Sequence, residues 1–328
     1  MHKELLKDIG EKELIKRLSK FMPKNQASDD CALVQTKKND LIVNTDVLVE
    51  NVHFNKETIS PLDLGWKAVA CNISDLLSSG SKKTIGITIG LIMPAKTQWT
   101  WIDDLYKGII QALDHYGGVI IGGDCSLGKE KAISITAFGI PGELELRRNG
   151  CKPGEVILTT GIHGLSKLGL MIQKRHNFDK DVILTQRLIK KSVEHFCRPK
   201  LKTNLLKQLL KTRFNKKITK VGCTDSSDGL FQALQDLAVA SNCKAVIDYE
   251  KIPKHDDWPK GTDWDNYYFF GGEDYELVFS LPKKWAKIYL NLDNNTKEIG
   301  YFKRGNASVE FKDPEKNKLF NSKSFEHF

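Results

Sequence analysis

Five short acidic segments contain the residues of this chain best suited to chemistry. In each segment an aspartate or glutamate adjoins small or polar residues beside an apolar run. The segments are Asn44-Thr45-Asp46, Ser74-Asp75, Gly122-Gly123-Asp124, Asp225-Ser226-Ser227-Asp228-Gly229 and Gly271-Gly272-Glu273-Asp274. Carboxylates that converge in one cleft repel one another unless they are protonated or a cation neutralises them. Because hard oxygen ligands favour Mg²⁺, which also binds substrate phosphates, the pattern predicts a magnesium-dependent enzyme acting on a nucleotide.

Each segment alone has a simpler explanation. Asp225 and Asp228 are typical helix-capping residues, and residues 271–277 fit a tight turn with solvated acids. A lone histidine such as His53 is more often a packed or surface residue than a functional one. The joint occurrence of all five segments favours a metal site over these explanations. No Ser-His or Cys-His pair accompanies them, so we expect no catalytic base or nucleophile.

A known phosphate-binding motif is excluded at this stage. Residues 123–129 match the pattern G-x-x-x-x-G-K. The Ser or Thr that should follow Lys129 is missing, and Asp124 lies inside the loop. A strand-like run from Ala132 to Phe138 follows, where a P-loop requires a helix. The match is therefore not a P-loop.

Length and composition predict a two-domain globular protein. A chain of 328 residues exceeds what one hydrophobic core usually organises, and 40% hydrophobic with 28% charged residues is ordinary for a soluble protein. The longest apolar stretches, at 85–94 and 132–141, are much shorter than the roughly 20 residues of a membrane span. They favour buried strands and no membrane association. The charged N-terminus predicts no export signal.

Cysteine usage and net charge further limit the classes of protein to which the chain could belong. The seven cysteines form no C-x-x-C pair, which predicts neither a disulfide framework nor a zinc site and favours a cytoplasmic protein. The formal net charge is +9, but the lysines are dispersed and no arginine stripe with interleaved aromatics appears. A solvated basic surface that attracts anionic metabolites explains this charge better than nucleic-acid binding does.

Two predicted helices flank the acidic segments of the first half. Ser60 and Pro61 are typical of a helix start and Gly80 of a helix stop. Asp75 then lies near the C-terminal end of this helix, where the macrodipole disfavours an anion and a nearby cation is expected. The second helix is predicted from about Thr97 to His115.

Three predicted strands, at 41–43, 119–121 and 218–223, each end just before an aspartate: Asp46, Asp124 and Asp225. Ser227-Asp228-Gly229 then predicts a strand-to-helix turn whose free N–H groups suit an anion. Residues 258–266 are predicted to form a surface loop, and residues 267–270 an aromatic strand. The polar, turn-rich segment 142–154 predicts the domain boundary. We therefore expect domains at 1–146 and 147–328.

These motifs together resemble the thiamine-monophosphate kinase family. The resemblance is collinear over nearly the whole chain and rests on the following segments: Asp29-Asp30-Cys31-Ala32-Leu33, Asn44-Thr45-Asp46 to His53-Phe54, Trp66-Lys67-Ala68 to Leu76, Ile121 to Asp124, Arg148 to Gly154, Asp225 to Leu230, Gly271 to Leu277 and Glu326-His327-Phe328. It implies the aminoimidazole-ribonucleotide synthetase-like fold. That fold is α/β (α+β), with an N-terminal mixed sheet carrying helices on one face and a C-terminal α/β domain.

The resemblance also implies the functional residues. The implied magnesium ligands, for several ions, are Asp30, Thr45, Asp46, Asp75, Asp124, Asp225 and Asp228. The implied ATP contacts are Tyr106, Gly123, Asp124, Arg148 and Ser227. The implied substrate contacts are His53, Glu273 and Phe325. ATP is the implied co-substrate, and a homodimer that pairs its N-terminal domains is the implied assembly.

The activity implied by the resemblance is ATP-dependent phosphorylation of thiamine monophosphate to thiamine diphosphate by direct in-line transfer. Two departures from the family pattern touch the nucleotide side: Ser28 replaces a glycine, and Cys125-Ser126-Leu127 replaces the usual T-T-R. Loss of that arginine removes one possible phosphate contact. The alternatives are a sister ATP-dependent enzyme, of the selenophosphate synthetase or hydrogenase maturation type, and a non-catalytic nucleotide-binding protein.

Overall fold

The first half of the chain folds into a mixed sheet. A computed structural model describes residues 13–22, 28–37, 40–179 and 182–321, with backbone only at 262–263 and 319–321. Within these residues the first sheet has five strands in the order β1-β2-β5-β3-β4. They are β1 (Ala32–Val34), β2 (Leu41–Val49), β3 (Ser81–Met93), β4 (Ile120–Leu127) and β5 (Ala132–Pro141). β3 and β4 pair in parallel, and the other neighbours are antiparallel.

Two helices cover one face of this sheet: α1 (Pro61–Ser78) and α2 (Trp99–Tyr116). α1 begins as predicted, because the Ser60 hydroxyl accepts a hydrogen bond from the Asp63 N–H at 3.1 Å and Pro61 occupies the first turn. Alternate residues of β2, β5 and β3 point toward the helices and are buried, including Ile89, Ile133 and Ile135. No helix of the described residues covers the opposite face, which is called the open face below.

The second half forms a larger mixed sheet. Among the described residues it has seven strands in the order β12-β9-β11-β7-β10-β8-β6. They are β6 (Glu145–Arg147), β7 (Glu155–Thr159), β8 (Lys220–Asp225), β9 (Lys244–Ile247), β10 (Leu277–Pro282), β11 (Lys297–Lys303) and β12 (Ser308–Phe311). The α-helices are α3 (Leu165–Gln173), α4 (Gln186–Cys197), α5 (Leu205–Thr212), α6 (Leu230–Ala240), α7 (Thr262–Phe270) and α8 (Lys283–Leu292). Short 3₁₀ turns lie at Ser19–Phe21, Arg148–Gly150, Tyr249–Lys251 and Pro314–Asn321.

The two halves share apolar and polar contacts. Phe196 of α4 belongs to the same hydrophobic core as the helix-facing residues of the first sheet. The Trp66 indole N–H of α1 and the Tyr116 hydroxyl of α2 both donate to the Pro199 carbonyl, at 3.1 and 2.8 Å. α1 therefore packs against its own sheet on one side and against the second half of the chain on the other.

Two of the three predicted strand exits are wrong. Asp46 lies inside β2, because Val47, Leu48 and Val49 continue the strand, and Asp124 lies inside β4, which runs to Leu127. Polar residues in the middle of these strands reflect a sheet that lines a cleft, where no apolar cover is needed. The Asp225 prediction is confirmed, because Asp225 is the last residue of β8.

The aromatic run near the end of the chain was also assigned incorrectly. Residues 267–270 belong to α7, a helix that begins at Thr262 within the predicted surface loop 258–266. A short apolar run carries no period that separates strand from helix. Packing decides here: Tyr268 and Phe269 are both buried in the core of the second half.

No helix in the described part of the chain is long and apolar enough to cross a membrane.

Candidate active site

A cavity of about 760 Å³ lies between the two halves and gathers acidic residues from both. β2 and α1 supply one wall, and the start of α6, the end of α7 and the loop after it supply the other. Seven of the predicted site residues line it: Thr45, Asp46, His53, Asp75, Ser227, Asp228 and Glu273. The arrangement requires both halves, since neither wall encloses the space alone.

Adjacent residues of β2 point to opposite faces of the sheet, and this separates Thr45 from Asp46. Asp46 projects to the helix side, as does Asn44, whose amide donates to the Asp75 carboxylate at 2.9 Å. Asp75 and Asp46 therefore meet between β2 and α1. Thr45 projects to the open side, where its hydroxyl lies 2.8 Å from that of Thr136.

The second half presents Asp225 and Asp228 where β8 turns into α6. Asp225 is buried and accepts hydrogen bonds from the Ser74 hydroxyl of α1 at 2.5 Å and from the Ser227 hydroxyl at 2.9 Å. Asp228 is exposed to the cavity. Ser74, the neighbour of Asp75, thus links the acidic segment of α1 to that of β8 across the domain junction.

Asp30 lies beneath the cavity in a polar network of its own. Its side chain is 2% exposed and is paired with the Arg148 guanidinium. The Ser78 hydroxyl donates to Asp30 at 2.6 Å, and Thr224 lies within 3.3 Å of it. Arg148 also pairs with Asp236 of α6 at 3.2 Å. The predicted ATP contact Arg148 is therefore a bridge between two carboxylates in this structure.

The carboxylates repel one another strongly. Burial, followed by the charges of Asp30 and Asp228, raises the pKa of Asp46 to about 6. Burial and then Asp30 raise the pKa of Asp225 to about 7. The pKa of Asp75 is raised well above its ordinary value by burial and by Asp46, Asp225 and Asp30. Burial and the neighbouring carboxylates therefore make full ionisation of this cluster unfavourable unless a cation is bound.

The donors in this cluster suit Mg²⁺. Within the described residues, no group of three His, Cys, Asp or Glu side chains is already arranged as a metal site. The side chains present are nevertheless hard carboxylate oxygens from both halves of the chain, and the raised pKa values of Asp46 and Asp225 mean that a cation would stabilise them. The chemistry of the donor set therefore fits the predicted metal.

The loop after α7 is shaped by close backbone contacts. A Cβ on Gly272 would lie 2.3 Å from the Ser227 carbonyl oxygen, so no larger residue fits there. Glu273 follows with φ of 67°, in the left-handed region, and its N–H donates to the same carbonyl at 2.7 Å. Asp274 does not face the cavity: its carboxylate caps α3 by accepting from the Gly164 and Ser166 N–H groups at 2.5 and 2.9 Å.

Glu273 is paired with a lysine that sequence reasoning did not assign to the site. The Lys67 ammonium of α1 is buried, lies 2.9 Å from the Glu273 carboxylate and sits 3.8 Å from the centroid of the Phe196 ring. The Trp66-Lys67-Ala68 segment, which resembles the family, was the sequence feature that could have indicated this lysine. Its role becomes clear only in the folded structure, because its partner Glu273 lies in the other half of the chain.

The remaining walls of the cavity are apolar. Val52 and His53 follow β2, and Leu170 and Phe270 lie opposite on α3 and α7. The His53 ring is oriented by the Val49 N–H, which donates to its Nδ1 at 3.0 Å. The cavity therefore has an acidic end at the domain junction and an apolar end flanked by Glu273.

Besides Asp30, Asp225 and Arg148, which lie in the networks described above, three more predicted site residues are absent from the lining of the cavity. Tyr106 of α2 and Gly123 and Asp124 of β4 do not line it. β4 is an edge strand whose residues from Ile121 onward are exposed. Phe325, the remaining predicted contact, lies outside the described residues.

Models of the AIR synthase related proteins match both halves of the chain. The N-terminal domain model covers residues 28–141, and the C-terminal domain model covers residues 152–308. Together with the two mixed sheets and the cleft between them, these matches define the class: the chain is an AIR synthase related protein.

Curated relatives narrow this to one family. A thiamine-monophosphate kinase of Prochlorococcus marinus is 44% identical over 99% of this chain and 98% of its own length. That of Synechococcus elongatus is 33% identical over 88% of this chain and 86% of its own length. The chain belongs to the thiamine-monophosphate kinase family.

Solved structures agree with the fold. A structure described as AaThiL complexed with AMPPCP and TMP matches 100% of both chains with a TM-score of 0.85 and 27% identity. The hydrogenase maturation protein HypE in complex with ATP matches 90% of this chain and 91% of its own, with a TM-score of 0.61 at 16% identity, which supports the fold alone.

The raised pKa of Asp46 predicts a pH-dependent cost of folding. Between about pH 4, its ordinary pKa, and about pH 6, its pKa in the folded protein, the folded state retains a proton that the unfolded state loses, so stability falls as pH rises. We expect Asp46→Asn to stabilise the metal-free protein by about 1–2 kcal/mol at pH 8 and by almost nothing at pH 4. Urea unfolding at both pH values measures this.

Asp114→Asn, on the exposed surface of α2, is the matched control and should shift stability little at either pH. An Asp46→Asn variant no more stable than wild type at pH 8 would contradict the raised pKa of Asp46.

Removing the Lys67 charge should show how much its ion pair with Glu273 contributes to the stability of the fold. Lys67→Met leaves a carboxylate that is 29% exposed without its cation, so we expect a loss of about 2–3 kcal/mol, below the cost for fully buried pairs. Adding Glu273→Gln should recover part of the loss. Denaturant unfolding of the two single variants and the double variant measures the coupling, with exposed Lys82→Met as control. Additive effects would show that the pair contributes nothing.

Proposed function

We propose that this chain transfers the γ-phosphoryl group of ATP directly onto the phosphate of thiamine monophosphate, assisted by Mg²⁺ bound to its aspartates. As a member of its family the chain is a kinase, with ATP as co-substrate. Selenophosphate synthesis, other sister reactions and nucleotide sensing are the alternatives. The observation that carries the proposal is the single cavity in which carboxylates from both halves meet an apolar end flanked by Glu273.

The acceptor needs no activation by a protein base. The second pKa of a phosphate monoester is about 6, so thiamine monophosphate is largely a dianion at neutral pH and is itself the nucleophile. The reaction therefore requires no general base, in agreement with a cavity lined mainly by carboxylates, hydroxyls and apolar groups. Direct transfer then needs no phosphoenzyme.

The obstacle is repulsion between two anionic phosphates. Mg²⁺ held by Asp46, Asp75, Asp225 and Asp228, with Asp30 beneath them, would offset this repulsion and favour in-line transfer. The protein contributes the position of these carboxylates: Asn44 and Ser74 hold Asp75 and Asp225 by hydrogen bonds, so the donors are fixed before substrate arrives.

The apolar end suits the organic part of the acceptor. Thiamine carries a cationic thiazolium and an aminopyrimidine, and Val52, Leu170 and Phe270 offer a surface for such rings. The Glu273 carboxylate, held toward the cavity by its backbone contact with Ser227, complements the positive charge. His53 lies on the same side. Thiamine monophosphate can thus direct its phosphate toward the acidic end.

The nucleotide side extends over the open face of the first sheet. Register aligns Val47, Ser134, Gly90 and Asp124 in one row, so Asp124 shares this face with Thr45. Three strand spacings separate β2 from β4, roughly 14 Å in total. Neither Gly90 nor Gly122 places a side chain on this face. ATP lying across it would link the cavity to the predicted contacts Gly123, Asp124 and Tyr106.

The assembly proposed with this function is a homodimer through the first sheet. β4 is an edge strand with Ile121 at 54% and Leu127 at 76% exposure, and unpaired edges favour pairing with another chain. Because its cysteines are free, we also propose that the enzyme is cytoplasmic. The proposed domain boundary follows residue 146, which lies within β6.

The activity is tested by incubating the purified chain with Mg-ATP and thiamine monophosphate and separating the products by chromatography. We expect thiamine diphosphate only with metal, and none from thiamine. Asp75→Asn should reduce turnover by about 100-fold or more, because it removes a charge from the metal site. Asp114→Asn should retain wild-type turnover.

ATP binding by the wild-type chain without thiamine diphosphate formation would favour a sister enzyme or a sensor. Near-normal turnover of a folded Asp75→Asn variant would contradict the metal assignment, while accumulation of a phosphorylated protein on the kinetic pathway would contradict direct transfer.

The homodimer is tested by sedimentation at micromolar concentration. Leu127→Lys places a charge on the exposed end of β4 and should convert the dimer to a monomer. Ile183→Lys is the control, because Ile183 is 84% exposed in a loop remote from β4 in sequence. A monomeric wild type, or a Leu127→Lys variant that remains dimeric, would rule out this interface.

A further inference from the structure

We propose that Lys167 binds the phosphate of the acceptor, a role that rests on the proposed function. Lys167 lies on α3 and is exposed to the cavity. It makes no hydrogen bond or ion pair with any residue in the described ranges. A lysine that lines an acidic cavity without a partner of its own is available to an anionic ligand.

The charge distribution of the cavity makes Lys167 distinctive. The lining also holds four acidic side chains: Asp46, Asp75, Asp228 and Glu273. Among the residues described, Lys167 is the one lysine or arginine of the lining. Lys67 faces Glu273 in a buried ion pair, and Arg148 is paired with Asp30 and Asp236. Neither of these two cations lines the cavity.

Packing of the loop after α7 fixes the stem of Lys167. A Cβ on Gly271 would lie 2.6 Å from the Lys167 Cβ and 3.2 Å from its Cγ. It would also lie 2.1 Å from the Tyr267 carbonyl oxygen. The glycine therefore leaves the space along which the lysine stem runs beside the loop. This gives the first glycine of the Gly271-Gly272-Glu273 segment a reason beyond the turn itself.

The position of Lys167 selects the acceptor phosphate over those of ATP. Leu170 lies one turn further along α3 and Phe270 directly precedes Gly271, so Lys167 adjoins the apolar end. Ser227 and Asp228 of the acidic end lie on the same wall, beyond Lys167, because Gly272, the residue after Gly271, packs against the Ser227 carbonyl. A phosphate attached to a ring bound at the apolar end passes Lys167 first. The helix N-terminus of α3 offers no competing donor there, because Asp274 accepts from its Gly164 and Ser166 N–H groups.

The test compares thiamine monophosphate with thiamine, by calorimetric titration in Mg²⁺ without nucleotide. Lys167→Met should weaken binding of thiamine monophosphate by about 10-fold, the loss of one charge-assisted hydrogen bond at a solvent-accessible site, and leave thiamine binding unchanged. Lys167→Arg should recover most of the affinity. Lys174→Met, an exposed lysine at the end of the same helix, should match wild type for both ligands.

The remaining outcomes overturn the assignment. Equal weakening of thiamine and thiamine monophosphate would make Lys167 a structural residue. A loss confined to Mg-ATP, titrated in parallel, would assign it to the donor phosphates instead. No change in any titration would leave it without a binding role. If the wild-type chain itself does not prefer thiamine monophosphate to thiamine, the proposed function fails, whatever the variant does.

Discussion

Repulsion among buried carboxylates at the junction of the two halves is the constraint on which the rest of the structure depends. Asp46 and Asp75 come from the first half, and Asp225 and Asp228 from the second. Without a cation, each carboxylate raises the free energy of ionising the others. This lowers the stability of the folded protein, and other contacts must compensate for it. The surrounding hydrogen bonds and ion pairs are best understood as the means of holding these groups in place.

The supports lie just behind the carboxylates. Asn44 donates a hydrogen bond to Asp75 and Ser74 donates one to Asp225, while Arg148 pairs with both Asp30 and Asp236. Arg148 therefore has two aspects: the sequence points to a nucleotide contact, and the structure shows a bridge between carboxylates. These are compatible, because a guanidinium has five N–H donors in a planar fork and can serve more than one anion.

The sequence was informative where function restricts residue type and weak where packing decides. The acidic segments predicted every carboxylate of the cavity lining, because few other roles require so many carboxylates beside glycines. The strand exits at Asp46 and Asp124 were wrong, since the same residues fit the middle of a strand that faces a cleft. Lys67 and Lys167 were not assigned, because their significance depends on Glu273 and Gly271, about 200 and 100 residues away.

The division of the carboxylates between the halves has a thermodynamic consequence. Each half alone carries only part of the negative charge, so the full repulsion arises when the two walls approach. Apolar contacts of Phe196 and hydrogen bonds to Pro199 hold the two halves together away from the cavity. At the cavity, repulsion between the carboxylates opposes their approach. A cation or a cation-bound nucleotide in the cavity removes this repulsion. Binding of metal and close approach of the two halves must therefore favour each other, because linkage acts in both directions.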